Sequence, residues 1–286
     1  MLCRRLQRMG RTAALAVALP LGLTPGAADA WGPQGHRVIA QVASERLTPE
    51  ARAAIAELLH PDDTLPDVAD WADHEGHEVY PRSAPWHYVN IPIESAHYRD
   101  GRDAARPDNV VHQIGRYRQI LADRTKPKPE RSRALLFLVH FVSDVHQPLH
   151  VGDNRDRGGN ATQVRFNGDG TNLHQLWDSG LIRAIGGNDR VWSGRVERAI
   201  TPASNREWSR GTPEDWADES LKAARVAYQD LAGAPRSVES GYTLGAPYLR
   251  QVEPILVEQM ARASVRLANE LNAAFAPSSH TREPGR

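Results

Sequence analysis

Histidine and aspartate residues recur in this sequence at a spacing that suits metal binding. His140 and Asp144 lie four residues apart in a strongly apolar segment, and His174 and Asp178 repeat the spacing. On a helix, this separation places both side chains on one face, one turn apart. One such pair is commonly a hydrogen-bonded pair in a protein core, whereas two pairs favour metal ligands. Because the sequence contains a single Cys, a metal site here must be built from His, carboxylates and backbone groups.

Three further residues are candidate ligands at less regular spacing. His150 follows Pro148, which disfavours helix at the residue before it and so frees His150 to serve a neighbouring site. Asp73 ends a Trp-Ala-Asp segment, and His87 follows another Trp. For Asp73 and His87 the alternative is an aromatic core with a capping Asp. His146 falls on a different helix face and is left out of the predicted site.

The first thirty residues read as a secretory signal. Four Arg residues precede an apolar stretch over residues 12–23, and residues 28–30 fit the small-residue pattern of a cleavage site. We therefore predict an exported protein, periplasmic or secreted. Because two of the Arg residues are adjacent, export by the twin-arginine route is an alternative to the general secretory route. Cleavage after Ala30 would give Trp31 a free amine beside its carbonyl, and both can bind a cation. His36 is near enough in sequence to complete that site.

Composition limits the class of protein. The 286 residues are 40% hydrophobic and 24% charged, with 35 basic and 35 acidic side chains. The apolar content is high enough for a sizeable core and argues against disorder. A formal charge of zero excludes a nucleic-acid binder that relies on bulk positive charge. Cleavage after Ala30 would remove four Arg, one Asp and the lone Cys, so the mature chain is expected to be slightly acidic and free of thiols.

Apolar periodicity predicts a mostly helical chain. The segment 134–142 is nearly continuously apolar but too short to span a membrane, which indicates a central buried helix. One good strand candidate covers residues 162–166, with Asn167-Gly168 as a hairpin turn. We predict an all-α single domain over residues 31–276 with one small β-hairpin, followed by a disordered tail over 277–286. The predicted helices cover residues 51–59, 110–121, 130–147, 173–185, 213–231 and 253–275.

Five segments contain the candidate ligands: Trp31…Gly35-His36, Trp71-Ala72-Asp73, Trp86-His87-Tyr88, His140…Asp144…Gln147-Pro148-Leu149-His150 and Asn172-Leu173-His174…Trp177-Asp178. In order and spacing they closely resemble the S1/P1 type of zinc-dependent single-strand nuclease and 3′-nucleotidase. The resemblance extends from Trp31 to about Asn272. This family is a distant fold relative of bacterial zinc phospholipase C, so the resemblance implies a helical domain of the phospholipase C and nuclease P1 type.

The resemblance implies three zinc ions, with Asp144 shared between the first two. A close metal pair can deprotonate one water near neutral pH and so produce the nucleophile, which Asp73 and Asp144 would position. The third ion would polarise the phosphate. Carried over by position, the ligands are Asp73, His87, His140 and Asp144 for the first ion, the amine and carbonyl of Trp31 with His36 and Asp144 for the second, and His150, His174 and Asp178 for the third.

The resemblance also implies substrate contacts. Tyr88 occupies the position of an aromatic residue that stacks a base, and a planar ring accepts every base. Asn90 occupies the position at which fungal relatives have an acidic residue that binds the edge of the base. Unlike a carboxylate, its amide can donate as well as accept hydrogen bonds. Fungal relatives also have an Arg shortly after the Trp-Ala-Asp segment. This chain has none there, and Arg82 is the candidate replacement.

The expected function is that of an exported zinc enzyme hydrolysing RNA and single-stranded DNA to 5′-phosphorylated products, with 3′-nucleotidase activity. One alternative is a zinc phospholipase C acting on lipid phosphodiesters. The other is a non-catalytic periplasmic zinc-binding protein. Tyr88 and the lack of an amphipathic membrane-docking element favour the nuclease, and a shared Asp favours catalysis over storage. We expect no stable membrane association and no protein partner.

Overall fold

The computed structural model describes residues 31–103, 108–229, 231, 236–237 and 241–277. The predicted signal segment and nearly all of the predicted tail lie outside these residues. The helices are α1 (Gly32–Ser44), α2 (Pro49–Leu58), α3 (Glu75–Val79), α4 (Asp100–Asp103), α5 (Val110–Ala122), α6 (Lys128–Asp144), α7 (Pro148–Val151), α8 (Leu173–Gln175), α9 (Leu181–Ile185), α10 (Asp189–Ala199), α11 (Pro202–Trp208), α12 (Pro213–Gln229) and α13 (Ala246–Phe275). The strands are β1 (Ile91–Pro92), β2 (Gly152–Asp153), β3 (Gln163–Phe166), β4 (Asp169–Asn172), β5 (Arg236–Ser237) and β6 (Gly241–Leu244). The mainly helical prediction is confirmed.

Helix α6 is the central buried helix that its apolar sequence predicts. Between Ala134 and Asp144 nearly every side chain is buried, and α5, α13 and α2 pack around it. Phe137 stacks on Tyr117 of α5 with ring centroids 4.6 Å apart. Burying each large apolar side chain contributes roughly 1.5–3 kcal/mol. The predicted end of this helix at residue 147 is wrong, because Gln147 precedes a Pro and adopts an extended conformation.

The predicted hairpin forms but belongs to a larger sheet. Strands β3 and β4 pair antiparallel around Asn167 and Gly168, whose positive φ angles of 51° and 97° are those that a two-residue hairpin turn requires. Beyond the predicted hairpin, β3 also pairs in parallel with β6, and β5 pairs with β6. A second, two-stranded sheet joins β1 to β2 in parallel. That sheet aligns the segment after His87 with the segment after His150.

Several helices differ from the predicted ones. Helices α1, α10 and α11 were not predicted, and α13 begins at Ala246 rather than at residue 253. The predicted helix over residues 173–185 is interrupted by one wide turn, Leu176–Gly180, of π-helical geometry. Such turns are frequent at functional sites because they re-aim a side chain. None of the described helices is long and apolar enough to cross a membrane.

Candidate metal centre

Helix α1 brings Trp31 and His36 to the C-terminal end of α6. Trp31 is fully buried, and its indole N–H donates a hydrogen bond to the carbonyl of Ser143, 2.9 Å away. The side chain folds back against Gly35, where an added Cβ would lie only 2.5 Å from the Cβ of Trp31. Gly35 is therefore required for this packing. It leaves His36 stacked on His140, with ring centroids 4.0 Å apart.

Four predicted ligands of the first ion meet beside this stack. Asp73 ends the short 3₁₀ turn Trp71–Asp73, and His87 ends another, Ala84–His87. His140 Nε2 lies 3.2 Å from Asp73 Oδ1 and 3.3 Å from Asp144 Oδ2. His87 Nδ1 lies 3.0 Å from the same Asp144 oxygen. These atoms are within reach of one common cation.

Both carboxylates divide their oxygens between two groups of histidines. Oδ2 of Asp144 faces His87 and His140, while its Oδ1 lies 3.6 Å from His36 Nε2. Asp73 repeats the division, with Oδ1 at 3.2 Å from His140 and Oδ2 at 3.9 Å from His36. A carboxylate placed in this way can bind two neighbouring cations through separate oxygens.

A third group adjoins the backbone of His87, whose carbonyl accepts a hydrogen bond from His150. His174 Nε2 is 3.4 Å from Asp178 Oδ2, and His150 Nε2 is 3.8 Å from Asp178 Oδ1. The two imidazoles stack with ring centroids 5.0 Å apart. All three side chains are buried. The structure thus brings together every His and Asp that was predicted as a ligand, in three groups that could each hold a metal ion.

Backbone carbonyls orient the histidines. The Nδ1–H groups donate to Ala69 from His140 at 2.9 Å, to His87 from His150 at 2.7 Å, and to Gly158 from His174 at 2.7 Å. Each bond fixes the tautomer and directs Nε2 into the site, as a carbonyl bonded to a metal-binding histidine does.

One of these carbonyls depends on a glycine. Gly158 has a φ of +61°, and an added Cβ would lie 2.2 Å from the carbonyl oxygen of Leu149. Any larger residue would therefore displace the loop that holds His174. The sequence alone does not reveal this role, because the close approach to Leu149 depends on the fold.

Several buried nitrogen and oxygen atoms of the candidate ligands lack hydrogen-bond partners. An unpartnered buried polar atom costs roughly 1–3 kcal/mol, so a cluster of them indicates a ligand that satisfies all of them together. The donor set of imidazole nitrogens and carboxylate oxygens without thiolates suits catalytic zinc. The orphaned atoms are His36 Nδ1 and Nε2, Asp73 Oδ2, His140 Nε2, Asp144 Oδ1, His150 Nε2 and His174 Nε2.

Burial and neighbouring charges set the protonation of the histidines. Burial lowers the pKa of His174 to about 4, and it lowers the pKa of His36 and His150 well below the usual value. These imidazoles are neutral at pH 7, the form that binds a cation. Burial also disfavours the charged form of His140, but the two adjacent aspartates outweigh it and raise the pKa of His140 to about 10. A bound cation would take the place of that proton.

A sequence model of the S1/P1 nuclease family matches residues 31–276 of this chain. The chain belongs to the S1/P1 nuclease family. Endonuclease 2 of Arabidopsis thaliana is 31% identical, over 86% of this chain and 90% of the relative. Nuclease S1 of Aspergillus oryzae is 26% identical over 83% and 89%, and nuclease P1 of Penicillium citrinum is 27% identical over 85% and 97%. Family membership makes this protein a nuclease, with nucleic acids as its substrates.

The predicted substrate contacts of this S1/P1 nuclease lie at the surface beside His87. Tyr88 and Asn90 are exposed, while the odd-numbered residues of 87–91 are buried, so Tyr88 and Asn90 share the outward side of an extended segment. Tyr88 exposes 38% of its surface, which leaves room for a stacked base. Arg82 is also exposed, but nothing in its described contacts ties it to the three groups. The roles of all three residues stay predictions.

Gln147 is a polar residue of the site for which the sequence predicted no role. Gln147 is fully buried, and its amide donates to Asp178 and accepts from the N–H of Leu149. The available signal was its position: a polar residue between two ligands, directly before Pro148, in an otherwise buried segment.

Proposed function

We propose that this S1/P1 nuclease is an exported, zinc-dependent phosphodiesterase. It hydrolyses RNA and single-stranded DNA to 5′-phosphorylated products and removes phosphate from 3′-nucleotides. The observation that supports the zinc centre is the set of buried, unpartnered nitrogens and oxygens among the three groups of candidate ligands. A protein core without a ligand avoids such atoms, and among the described residues every His or Asp that has one is a candidate ligand.

Zinc bound in these groups would supply a water with a pKa of about 7 and positive charge for the scissile phosphate. The chain's own residues determine where that chemistry occurs. Asp73 and Asp144 offer oxygens to both of the first two groups and so set their separation. The third group, built around Asp178, is buried alongside. Burial excludes bulk water and strengthens each electrostatic contact with the substrate.

Tyr88 supports the preference for single strands. Its ring is exposed directly after His87, so a base stacked on it would have its own phosphodiester close to the first group. A base in a duplex is already stacked and paired, and freeing it costs a few kcal/mol. An unpaired base has no such cost. The exposed Asn90 on the same side offers both a donor and acceptors to a base edge.

Export and cleavage are part of the same proposal. Trp31 is fully buried beside Ser143, the residue before Asp144. In the uncleaved chain its nitrogen belongs to a peptide bond, which is a poor zinc donor. Cleavage after Ala30 would convert it into an amine that, with the Trp31 carbonyl and His36, completes the second group.

The decisive experiment uses the mature chain beginning at Trp31. Its zinc content is measured, and it is then given RNA, single-stranded DNA, double-stranded DNA, 3′-AMP and phosphatidylcholine. We expect three zinc ions, faster cleavage of single than of double strands, 5′-phosphate ends and release of phosphate from 3′-AMP. Phosphatidylcholine hydrolysis without nucleic-acid cleavage would identify a phospholipase C instead. Zinc binding without turnover of any substrate would identify a storage protein.

A further inference from the structure

We propose that Gln147 is a positioning residue that holds the third group, His150, His174 and Asp178, in the geometry needed for its ion. The inference rests on the metal centre of the proposed function. Gln147 itself offers no atom to that ion, because both ends of its amide are already engaged.

The amide of Gln147 joins two members of the group. Its nitrogen donates to Asp178 Oδ1 at 2.5 Å, and its oxygen accepts from the N–H of Leu149 at 2.6 Å. The first bond restrains the Asp178 carboxylate, whose other oxygen lies 3.4 Å from His174 Nε2. The second bond caps α7, the short helix that carries His150. One side chain thus restrains ligands that come from different parts of the chain.

The orientation of the Gln147 side-chain amide follows from the sequence. Pro148 has no N–H, so the first backbone donor of α7 is Leu149, and a backbone N–H can be satisfied only by an acceptor. The Gln147 oxygen must therefore point to Leu149, which turns its NH₂ towards Asp178. A carboxylate at this position would cap the helix equally well but could not donate to Asp178. The amide is thus the side chain that fulfils both requirements.

Restraint of this kind affects metal affinity. Removal of a hydrogen-bond partner of a metal ligand typically lowers the metal affinity 10–100-fold, because the ion itself must then order the ligand. Gln147 is fully buried, so water cannot take over its bond to Asp178 without rearrangement. We therefore expect Gln147 to act on the third ion and to leave the other two unaffected.

The test separates the two bonds of Gln147. Asn is a good N-cap acceptor but is one methylene shorter, so Gln147→Asn keeps the cap of α7 and loses the bond to Asp178. Gln147→Met removes both bonds. The matched control is Gln259→Met, because Gln259 is also a buried amide but donates to the carbonyl of His146 and to Ser220 rather than to a ligand.

Metal affinity is measured by titrating the mature protein with cobalt(II) in the presence of a competing chelator. The binding steps are followed by cobalt absorption. The step that disappears in Asp178→Ala identifies the third ion. We expect Gln147→Asn to weaken that step by 10–100-fold, while the other two steps, and the melting temperature of the metal-free protein, stay close to those of the unaltered protein. Gln259→Met should keep all three steps, and Gln147→Asn added to Asp178→Ala should cause no further loss.

Two results would overturn the inference alone: an unchanged third step in Gln147→Asn, or equal weakening of all three steps. If the unaltered protein shows no step that Asp178→Ala removes, the proposed metal centre is wrong and this inference falls with it. Should Gln147→Met fail to fold, the Gln147→Asn variant still decides the question, since it retains the helix cap.

Discussion

Asp144 is the single residue whose substitution tests the shared site most directly, because its two oxygens face different groups of histidines. Asp144→Asn keeps the shape of the side chain but removes the negative charge that two cations would share. We expect one zinc ion to be lost or nuclease turnover to fall by roughly 10²-fold or more. Metal analysis and turnover on single-stranded DNA measure both effects.

Asp218→Asn is the control for this substitution. Asp218 also ends a Trp-Ala-Asp segment, but it lies on α12 and accepts hydrogen bonds from the backbone of Tyr98 and from His97. Removal of its charge should leave zinc content and turnover unchanged. Full zinc occupancy with near-normal turnover in Asp144→Asn would contradict the bridging role.

Substitution of Tyr88 tests nucleotide binding independently of the metal site. Tyr88→Ala should weaken nucleotide binding by roughly 1–3 kcal/mol, the usual contribution of one base–aromatic stack. Zinc content should not change, because His87 is the predicted ligand and Tyr88 is not. Tyr88→Phe, which keeps the ring, should bind nucleotides like the unaltered protein. If Tyr88→Ala abolishes hydrolysis while nucleotide affinity stays the same, Tyr88 supports the metal site instead.

At the scale of elements, His146 links α6 to α13. It is buried, donates from Nδ1 to the carbonyl of Val142, and accepts from Arg266 at 2.9 Å. Burial, reinforced by the Arg266 charge, lowers its pKa well below the usual value. The folded protein thus keeps His146 neutral while the unfolded chain protonates it below about pH 6.5, so its contribution to stability is present above that pH and is lost as the pH falls.

His146→Gln removes this titrating group while keeping a side chain that can accept from Arg266. We expect its free energy of unfolding to fall less steeply between pH 7 and pH 5 than that of the unaltered protein. Urea denaturation at several pH values measures the slopes, with chelator present throughout so that metal release does not contribute. Parallel slopes for the two proteins would show that His146 is not a source of acid sensitivity.

Elements built on local apolar periodicity were predictable, and those that depend on distant contacts were not. Helices α5, α6 and α12 were predicted from their own residues. Helix α1 was missed because Gly32 and Gly35 disfavour a helix. The packing of Trp31, which only the structure shows, explains why a Gly occurs at position 35. Strand β6 was missed because its partner β3 lies more than seventy residues earlier in the chain.

The same distinction holds within the site. Spacing along the chain was enough to select His140 with Asp144 and His174 with Asp178, because residues four apart on a helix share a face. Asp73 and His87 were assigned as ligands only through the family resemblance. The division of the Asp144 oxygens between two groups depends on how α1 packs against α6. The carbonyls that orient His140 and His174 come from Ala69 and Gly158, and no residue type signals a carbonyl acceptor.

At the scale of the whole molecule, cleavage before Trp31 becomes testable. An α-amine has a pKa of roughly 7.7–8.0 and becomes a neutral zinc ligand near pH 7 more readily than a Lys amine. A Met-Gly extension ahead of Trp31 turns that amine into an amide. We expect the extended protein to fold, to bind one zinc ion fewer than the processed protein and to be strongly impaired in turnover. Equal circular dichroism checks folding, and equal zinc content and activity would contradict the terminal site.

Metal removal should also destabilise the whole chain. The candidate ligands join segments from His36 to Asp178, and beyond residue 3 the sequence has no Cys with which to form a disulfide. An ion present at a thousandfold excess over its Kd stabilises the folded state by about 4 kcal/mol. For a chain of this size that corresponds to a melting temperature roughly 10 °C higher for each ion. Thermal denaturation with zinc and with chelator measures the difference, and equal melting temperatures would contradict it.

The packing of α1 has a consequence for the order of events during synthesis. Every predicted ligand has left the ribosome once Asp178 has emerged, but α1, which carries His36, packs mainly against α10 and α13. A nascent chain that lacks its last hundred residues therefore has the ligands without the support that aligns them. We therefore expect a metal ion to bind to the complete site only after translation has ended, when α10 and α13 support α1.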